Sequence, residues 1–298
     1  MRTHENAGRR VASRPARNAT PKRRITACNE MVYPVTVTRM VSVEHITKTF
    51  KLSRQQKREM GSSFTADHID AVRDVSFTCQ PGRIFSLLGP NGAGKTTTLR
   101  MIATTLKPSA GHIIVAGHNT VHDAQSVRRA LGFLTGSTKL YDRLTPEELV
   151  RYHADLHGIA REDYRRRRDE IFGLLDMGSF ADRRISKLST GMKQKVSIAR
   201  TIIHNPAVLV FDEATAGLDV VASRGIVELI RNARDEGKTV LFSTHRMGEV
   251  SQLSDDLAII HCGQLLYNGP FGEFTTSMES ESLEDEFIRV VEKAEAAA

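Results

Sequence analysis

Cysteine and long apolar runs are both scarce in this sequence of 298 residues. The three cysteines, Cys28, Cys79 and Cys262, lie far apart and show neither CxxC spacing nor the His/Cys spacing of a metal site. This argues against a disulfide framework and against a zinc site, and it favours a reducing cytosol. The longest apolar stretches, such as residues 207–211 (AVLVF), are far shorter than the roughly 20 residues that a membrane-spanning helix needs. Any role in a membrane is therefore expected to require a separate partner chain.

The formal net charge of +7 is unevenly distributed. Most of the excess lies in residues 1–30, where Lys and Arg strongly outnumber Glu and where no hydrophobic region typical of a signal peptide occurs. We interpret residues 1–40 as a basic, disordered N-terminal tail. Either it is a solvated tail, or the start codon lies too early and Met31 or Met40 is the true start. A transit peptide and a phosphate-binding arm are the alternatives.

From about Val41 onward, short β-branched and apolar runs alternate with Gly, Pro and Asn and later with helical patterns, which is typical of an α/β domain. Strands are predicted at 41–46 and 71–77, with a polar loop at 51–67 between them. A buried strand is predicted at 83–88, where it leads into a glycine-rich turn. The chain contains no internal repeat and no second copy of any nucleotide motif, so it holds the parts of one site.

A helix start is predicted at Thr145, because Pro146 and Glu148 follow it in the pattern of a capping box. A mostly helical region is expected from there to about residue 185. The four consecutive arginines at 165–168 are interpreted as a solvated helix face near acidic residues rather than as a nucleic-acid patch.

A glycine-rich loop, GPNGAGKT at residues 89–96, matches GxxxxGK[ST] at every fixed position and stands between a predicted strand and a helix predicted at 97–106. Backbone N–H groups of such a loop surround phosphates, Lys95 adds a positive charge, and Thr96 offers a hydroxyl to magnesium. The sequence therefore predicts that ATP and Mg²⁺ bind here. The residues expected to contact the nucleotide are Gly89, Pro90, Asn91, Gly92, Ala93, Gly94, Lys95, Thr96 and Thr97.

Two adjacent carboxylates, Asp212 and Glu213, follow the apolar strand predicted at 207–211. Two carboxylates at the end of a buried strand have a desolvation cost, which indicates that they bind or react with something there. In phosphoryl transfer the first is expected to hold magnesium, and the second to orient or deprotonate the attacking water. Solvated acids at a strand end would explain Asp212 alone, but not the pair together with the upstream loop.

The segment LSTGM at residues 188–192, which precedes a helix predicted at 193–203, resembles the LSGGQ signature of ABC ATPases. The order of phosphate loop, signature and Asp-Glu strand also matches that family, and the resemblance covers about residues 41–270. Ser189 and Gly191 at a helix N-terminus offer a hydroxyl and backbone donors to a phosphate. In the family, that phosphate is bound by the phosphate loop of the facing subunit.

The resemblance implies further site residues. AGLD at 216–219 looks like the family's D-loop, which makes Asp219 a nucleotide-site residue. His245 looks like the switch histidine that touches the γ-phosphate and cooperates with Glu213, so that Glu213, His245 and Lys95 form the expected catalytic set. Phe50 occupies the place of the aromatic residue that stacks on adenine. The alternative for His245 is a surface histidine whose hydrogen bonds are satisfied. The alternative for Phe50 is an ordinary phenylalanine of the hydrophobic core.

The sequence departs from the family's pattern at two places. A glutamine that normally senses magnesium and faces the transmembrane partner is missing near Gly136, and Thr190 and Met192 replace the second glycine and the glutamine of the signature. Residues 136–145 and 282–287 look most like the sodium-extruding NatA branch.

The resemblance thus implies an α/β fold, a P-loop NTPase core of ABC type with an antiparallel β subdomain and an α-helical subdomain at about 140–190. The nucleotide-binding domain is expected to span 41–272, and residues 273–298 to form a C-terminal tail with a short helix. Two copies, or an ABC heterodimer, would face each other head to tail with ATP between them.

In this interpretation the chain is a peripheral subunit that hydrolyses ATP at the cytoplasmic face of the cell membrane. It powers export through transmembrane permease subunits, and the resemblance to the NatA branch implies that sodium is exported. A soluble ABC ATPase that acts on nucleic acid or ribosomes is the rival hypothesis, which only the basic N-terminus supports, so a nucleic-acid partner is not expected. A P-loop kinase would leave the residues at 188–192 and His245 unexplained.

Overall fold

The first of two β-sheets contains four antiparallel strands. The computed structural model describes residues 40–53, 55, 57, 67–135, 139–215 and 220–296, with only the backbone of 220–222. Strands β1 and β2 are paired along nearly their full length, and β4 adds to the other edge of β1, which gives the order β2-β1-β4-β5. The four strands are β1 (Val41–Lys51), β2 (His68–Cys79), β4 (Ala110–Val115) and β5 (His118–Asn119).

The second sheet has six strands in the order β10-β9-β3-β8-β7-β6. All its neighbours are parallel except β10, which pairs antiparallel with β9 at one edge. Every residue of β3, β7 and β8 is buried, as is typical of parallel strands covered on both faces. The strands are β3 (Ile84–Leu88), β6 (Leu131–Thr135), β7 (Val208–Asp212), β8 (Thr239–Thr244), β9 (Asp256–His261) and β10 (Gln264–Pro270).

Helices cover the parallel sheet and form the region between β6 and β7. The first two are α1 (Lys95–Ile102) and α2 (Ala124–Ala130). Between β6 and β7 lie α3 (Pro146–Leu156), α4 (Arg161–Leu174), a 3₁₀ turn (Ile185–Lys187) and α5 (Thr190–Ile202). The remaining four are α6 (Val220–Asp235), α7 (Met247–Leu253), α8 (Phe271–Thr276) and α9 (Leu283–Ala296). Within the described ranges, no helix combines the length and the apolar character that crossing a bilayer requires.

The predicted capping box at the start of α3 is present. The Thr145 hydroxyl accepts the N–H of Glu148 at 3.2 Å, and the Glu148 carboxylate accepts the N–H of Thr145 at 2.8 Å. Two donors that a helix start leaves without intrahelical partners are thereby satisfied, which explains why the helix begins at this position.

The arginines at 165–168 are only partly a solvated face, so that interpretation was incomplete. Arg168 Nε donates to the Glu147 carboxylate at 2.6 Å, which joins α4 to α3. Arg167 donates to the carbonyl of Ile203, just beyond α5, at 2.8 Å. The run therefore binds the helical region together, because two of its members turn toward neighbouring helices.

Several element bounds differ from those predicted. Strand β1 ends at Lys51 and not at residue 46 as predicted, since residues 48–51 pair with β2. Helix α1 begins at Lys95 and ends at Ile102, earlier than the predicted 97–106. The C-terminal helix α9 has 14 residues and is not short, and its Phe287 and Val290 pack against a cluster built around Phe274.

The parallel sheet separates two hydrophobic clusters. One joins the sheet to the helices between β6 and β7, and the other joins its opposite face to the antiparallel sheet. The stacked rings of Phe77 and Phe85, with centroids 4.8 Å apart, connect the two sheets directly. The predicted α/β fold with an antiparallel β part and an α-helical part is confirmed.

Candidate functional site

The loop at residues 89–96 connects the carboxyl end of β3 to the first turn of α1. Two of its glycines are required by their surroundings. Gly94 has φ 109°, and a Cβ there would lie 2.5 Å from the carbonyl oxygen of Ala71. A Cβ on Gly89 would lie 2.2 Å from the carbonyl oxygen of Ile260. Neighbouring strands therefore hold the loop close against the sheet, with the N-terminus of α1 behind it as a favourable place for an anion.

Lys95 is buried, and its ammonium group lies across the loop. Its Nζ donates to the carbonyls of Gly89 at 2.7 Å and Pro90 at 3.0 Å, and it lies 3.7 Å from Glu213 Oε1. Burial lowers the pKa of Lys95, while the carboxylates of Glu213 and Asp212 partly oppose that shift. The arrangement holds a partly desolvated positive charge beside the place where phosphates would lie.

Three oxygen-bearing side chains meet at the ends of β7 and β8. Asp212 Oδ1 accepts the hydroxyl of Thr96 at 3.0 Å and the hydroxyl of Ser243 at 2.7 Å. Hard oxygen ligands of this kind suit Mg²⁺, so Thr96 and Asp212 fit the predicted metal role. Ser243 was not among the site residues predicted from the sequence. Its position two residues before His245 could have identified it, and in the structure it lies in the strand that pairs with β7.

Glu213 lies just beyond β7 with φ 50°, in the left-handed region that few residues other than glycine adopt. Its N–H donates to the carbonyl of Ser243 at 3.2 Å. His245 Nδ1 donates to Glu213 Oε1 at 3.2 Å, and the His245 side chain is 46% exposed. The structure therefore brings together a carboxylate and an imidazole at an edge that solvent can reach, next to the ammonium of Lys95.

Ser189 is the N-cap of α5, and its hydroxyl accepts the N–H of Met192 at 3.3 Å. Gly191 lies in the first turn of the same helix, so both residues stand at its positive end. Within the part of the chain that the structure describes, no hydrogen bond or ion pair joins Ser189 to the phosphate loop of the same chain. Ser189 therefore takes no part in the hydrogen bonds that hold Lys95 and Asp212 in the described part of the chain.

Phe50 lies near the end of β1, opposite Ile69 of β2, and the residue is 38% exposed. The ammonium of Lys48 lies 5.2 Å from the centre of the ring. A ring this exposed is not a plain core phenylalanine, and a flat apolar face suits stacking on another aromatic ring. Gly136 and the segment 216–219 with Asp219 lie outside the described residues.

Comparisons with known proteins agree with this geometry. Residues 72–216 match the family model described as ABC transporter. The chain is 43% identical over 216 residues to the ABC transporter ATP-binding protein NatA of Bacillus subtilis (strain 168), covering 72% of this chain and 88% of that protein. It is 33% identical over 227 residues to the bacitracin transport ATP-binding protein BcrA of Bacillus licheniformis, covering 76% and 70% of the two chains.

Two solved structures are similar in fold. One is the ATP-binding subunit of an ABC transporter, with a TM-score of 0.73, 25% identity and coverage of 85% of this chain and 99% of the other. The other is a dimeric ATP-binding cassette in a post-hydrolysis state bound to ADP and Pi, with a TM-score of 0.66, 25% identity and coverage of 77% and 98%.

Proposed function

The chain belongs to the family of ABC transporter ATP-binding proteins, and from that premise we propose that it powers export through a separate transmembrane partner, with sodium ions as the cargo. It is the ATP-binding subunit of an ABC transporter and an ATPase. The proposal of sodium is supported by the 43% identity to NatA across 88% of that protein, together with the resemblance of residues 136–145 and 282–287 to the sodium-extruding branch.

The contact between Glu213 and His245 carries the proposed mechanism. Glu213 would orient the attacking water and accept its proton, while His245 would hold the Glu213 carboxylate in place and face the γ-phosphate. Lys95 would stabilise the negative charge that develops on the phosphoryl oxygens. Thr96 and Asp212 would hold Mg²⁺, which when bound neutralises phosphate charge. The missing glutamine near Gly136 leaves these residues in place, so we propose that hydrolysis does not need it.

A second copy of the chain, or a related ABC subunit, would complete the site. Ser189 and Gly191 stand at a helix N-terminus, and among the described residues Ser189 makes no hydrogen bond to the phosphate loop, so both would be available to a nucleotide held by a facing subunit. A similar solved cassette is a dimer bound to ADP and Pi, which supports this arrangement. Asp219 would lie at the same interface, and Phe50 would stack on the adenine.

We further propose that the transmembrane partner docks beside α3, with the chain bound at the cytoplasmic face of the membrane. Tyr141, Tyr152 and Leu156 are exposed large side chains in this region, and the rings of the two tyrosines pack edge to face. Exposed apolar and aromatic surface of this kind is typical of interaction sites. It lies close in sequence to the segment near Gly136 that faces the partner in the family.

Purified protein tests the proposal in two steps. We expect steady phosphate release that requires Mg²⁺ and is abolished in Lys95→Ala, whereas Lys293→Ala on the surface of α9 should behave like wild type. Reconstitution of the chain with its transmembrane partner, with the ATP-binding face on the outside of the vesicles, should then give ATP-dependent uptake of ²²Na⁺ into the vesicle lumen, because export moves ions away from the side on which ATP is hydrolysed.

The outcomes separate the parts of the proposal. Absence of hydrolysis even with the partner present would contradict the proposed mechanism. Hydrolysis without sodium uptake into the vesicles would contradict the cargo alone. Stimulation of hydrolysis by nucleic acid or ribosomes, with none by the membrane partner, would favour the rival hypothesis.

A further inference from the structure

The segment 213–215, which follows β7, needs support from its surroundings. Glu213 adopts φ 50°, a conformation that is unfavourable for a residue with a Cβ. Such conformations persist only where neighbouring groups hold them, and they are common at functional sites. The groups that hold this segment therefore determine where the Glu213 carboxylate lies.

Three contacts from three different elements hold the segment. The N–H of Glu213 donates to the carbonyl of Ser243 in β8 at 3.2 Å. The carbonyl of Ala214 accepts the side-chain amide of Gln194, in α5, at 2.8 Å. The hydroxyl of Thr215, which is buried, donates to the carboxylate of Glu249 in α7. The first two contacts restrain the backbone, and the third restrains the residue at which the described segment ends.

The same carboxylate also holds the loop that carries His245. Glu249 Oε2 accepts the hydroxyl of Thr244, the residue before His245, at 2.7 Å. Arg246 Nη1 lies 3.0 Å from Glu249 Oε1, and the Glu249 side chain is only 14% exposed. One mostly buried carboxylate thus joins the two loops that present Glu213 and His245.

We propose that Glu249 is a positioning residue for ATP hydrolysis. By accepting the hydroxyls of Thr215 and Thr244, it keeps the Glu213 carboxylate and the His245 imidazole at the separation that hydrolysis needs. It acts through the two threonines, and within the described residues its hydrogen bonds and ion pair join neither Glu213 nor His245. The inference rests on the roles proposed above for Glu213 and His245.

Glu249 also lies in the first turn of α7, where an acidic side chain stabilises a helix. A purely structural role would therefore lower thermal stability without a specific effect on turnover. The threonines separate the two roles. Replacing Thr215 by Val removes the hydroxyl while nearly preserving the shape of the side chain, and replacing it by Ser keeps the hydroxyl.

Steady-state kinetics at a temperature well below unfolding provide the test. We expect Thr215→Val to lower kcat about tenfold while KM for ATP changes less than about twofold, because the lost contact matters only when water attacks. Thr215→Ser should keep kcat within about twofold of wild type. Glu249→Gln should also lower kcat, because an amide has one acceptor oxygen where the carboxylate has two. Glu228→Gln, on an exposed surface of α6, is the matched control and should leave kcat unchanged.

Hydrogen exchange of the peptide that contains residues 211–215 gives an independent readout. Without nucleotide, this peptide should exchange faster in Thr215→Val than in wild type, and at the wild-type rate in Thr215→Ser. If Thr215→Val does not fold, the pair Thr244→Val and Thr244→Ser tests the other hydroxyl in the same way.

Three results would overturn the inference. The first is a wild-type kcat in Thr215→Val. The second is an equal fall of kcat in the Val and Ser variants. The third is a fall of kcat that disappears when each variant is assayed at the same number of degrees below its own Tm. A wild-type protein that does not hydrolyse ATP would contradict the proposed mechanism, which is a different failure.

Discussion

At the carboxyl edge of the parallel strands, Lys95 and Asp212 are buried and hydrogen-bonded. In contrast, Ser189 at the start of α5 is exposed, and its hydrogen bonds to described residues lie within its own helix. The phosphate-loop side is therefore organised within one chain, because strands β3, β7 and β8 end side by side there. Within the described residues, the N-terminus of α5 makes no hydrogen bond to the phosphate loop. We therefore propose that a single copy carries one assembled half of an ATP site and a second half that acts on the nucleotide of a neighbouring subunit.

The largest expected effect is on the assembled half. Glu213→Gln should keep ATP binding but slow hydrolysis about a hundredfold or more, equivalent to about 2.7 kcal/mol in the barrier, because an amide cannot accept the proton of water. The closed dimer should then accumulate with ATP and Mg²⁺, and gel filtration would detect it. Glu228→Gln is the control, and turnover at the wild-type rate in Glu213→Gln would remove Glu213 from this role.

The second effect concerns the exposed half. Ser189→Arg places a bulky side chain at the helix N-terminus and should lower turnover about tenfold or more, while ATP affinity of the isolated chain changes less than about twofold. ATP binding is measured by titration and dimerisation by gel filtration. The control is Ser186→Arg, at an exposed serine one turn earlier. If the ATP affinity of the monomer falls as strongly as turnover, Ser189 acts on the site of its own chain. That result would contradict the division of the site into two halves.

The third expected effect is on the binding of Mg²⁺ by Asp212. Ser243→Ala removes one of the two hydroxyls that Asp212 accepts, so Asp212 should hold Mg²⁺ less firmly. We expect the Mg²⁺ concentration for half-maximal hydrolysis to rise a few-fold, with kcat lowered less than about tenfold. A magnesium titration of ATPase activity measures this, with Ser251→Ala on α7 as the control. An unchanged titration would mean that Ser243 has no influence on the metal.

The helical region between β6 and β7 contains partly buried histidines, so we expect its contribution to the free energy of unfolding to depend on pH. The ring of His204, which follows α5, stacks on the ring of His157, which caps the C-terminus of α3, at 3.8 Å between ring centroids. Burial lowers the pKa of His204 from 6.5 to about 4, and nearby positive charges add to the shift, while the bond to the Leu131 carbonyl opposes it. Burial likewise lowers the pKa of His153 to about 4. The cationic and titratable groups around these rings are Arg129, Arg167, Arg200 and His157.

Because the unfolded chain binds protons at a higher pH than the folded chain, the free energy of unfolding should fall as pH drops from about 6.5 to about 4. His204→Gln should weaken this dependence, measured as the difference in Tm between pH 7.5 and pH 5. His122→Gln, at an exposed position, is the control. An equal acid dependence in wild type and His204→Gln would contradict the prediction.

The smallest expected effect is that of the basic tail. Deleting residues 1–30, which lie outside the described ranges, should leave ATPase activity and Tm nearly unchanged, because so polar and basic a sequence offers little apolar surface to bury. Neither half of the ATP site should change. Sedimentation with membranes and retention on a nucleic-acid column would be compared with the full chain. Loss of either in the deletion variant would support a role of the tail as an arm.

The parts of the site that sequence analysis predicted are those encoded by contiguous residues. The phosphate loop and the Asp-Glu pair are local patterns whose chemistry is evident from spacing alone, and the structure places Lys95, Thr96 and Asp212 together as expected. Ser243 and Glu249 were not identified, because their contacts join residues about 30 positions apart. The two inward-turned arginines of α4 were misjudged for the same reason, since their partners lie on other helices.

By itself the sequence determined the type of chemistry and the place of each motif relative to a strand or helix, because these depend on residue type and on backbone preferences over a few positions. Only the tertiary structure decided which strand ends adjoin and that Glu213 adopts a left-handed conformation beside His245. It also decided that one carboxylate, Glu249, joins the two loops that carry them. These features follow from strand order and packing across the sheet, where the energy of each contact depends on groups far apart in the chain.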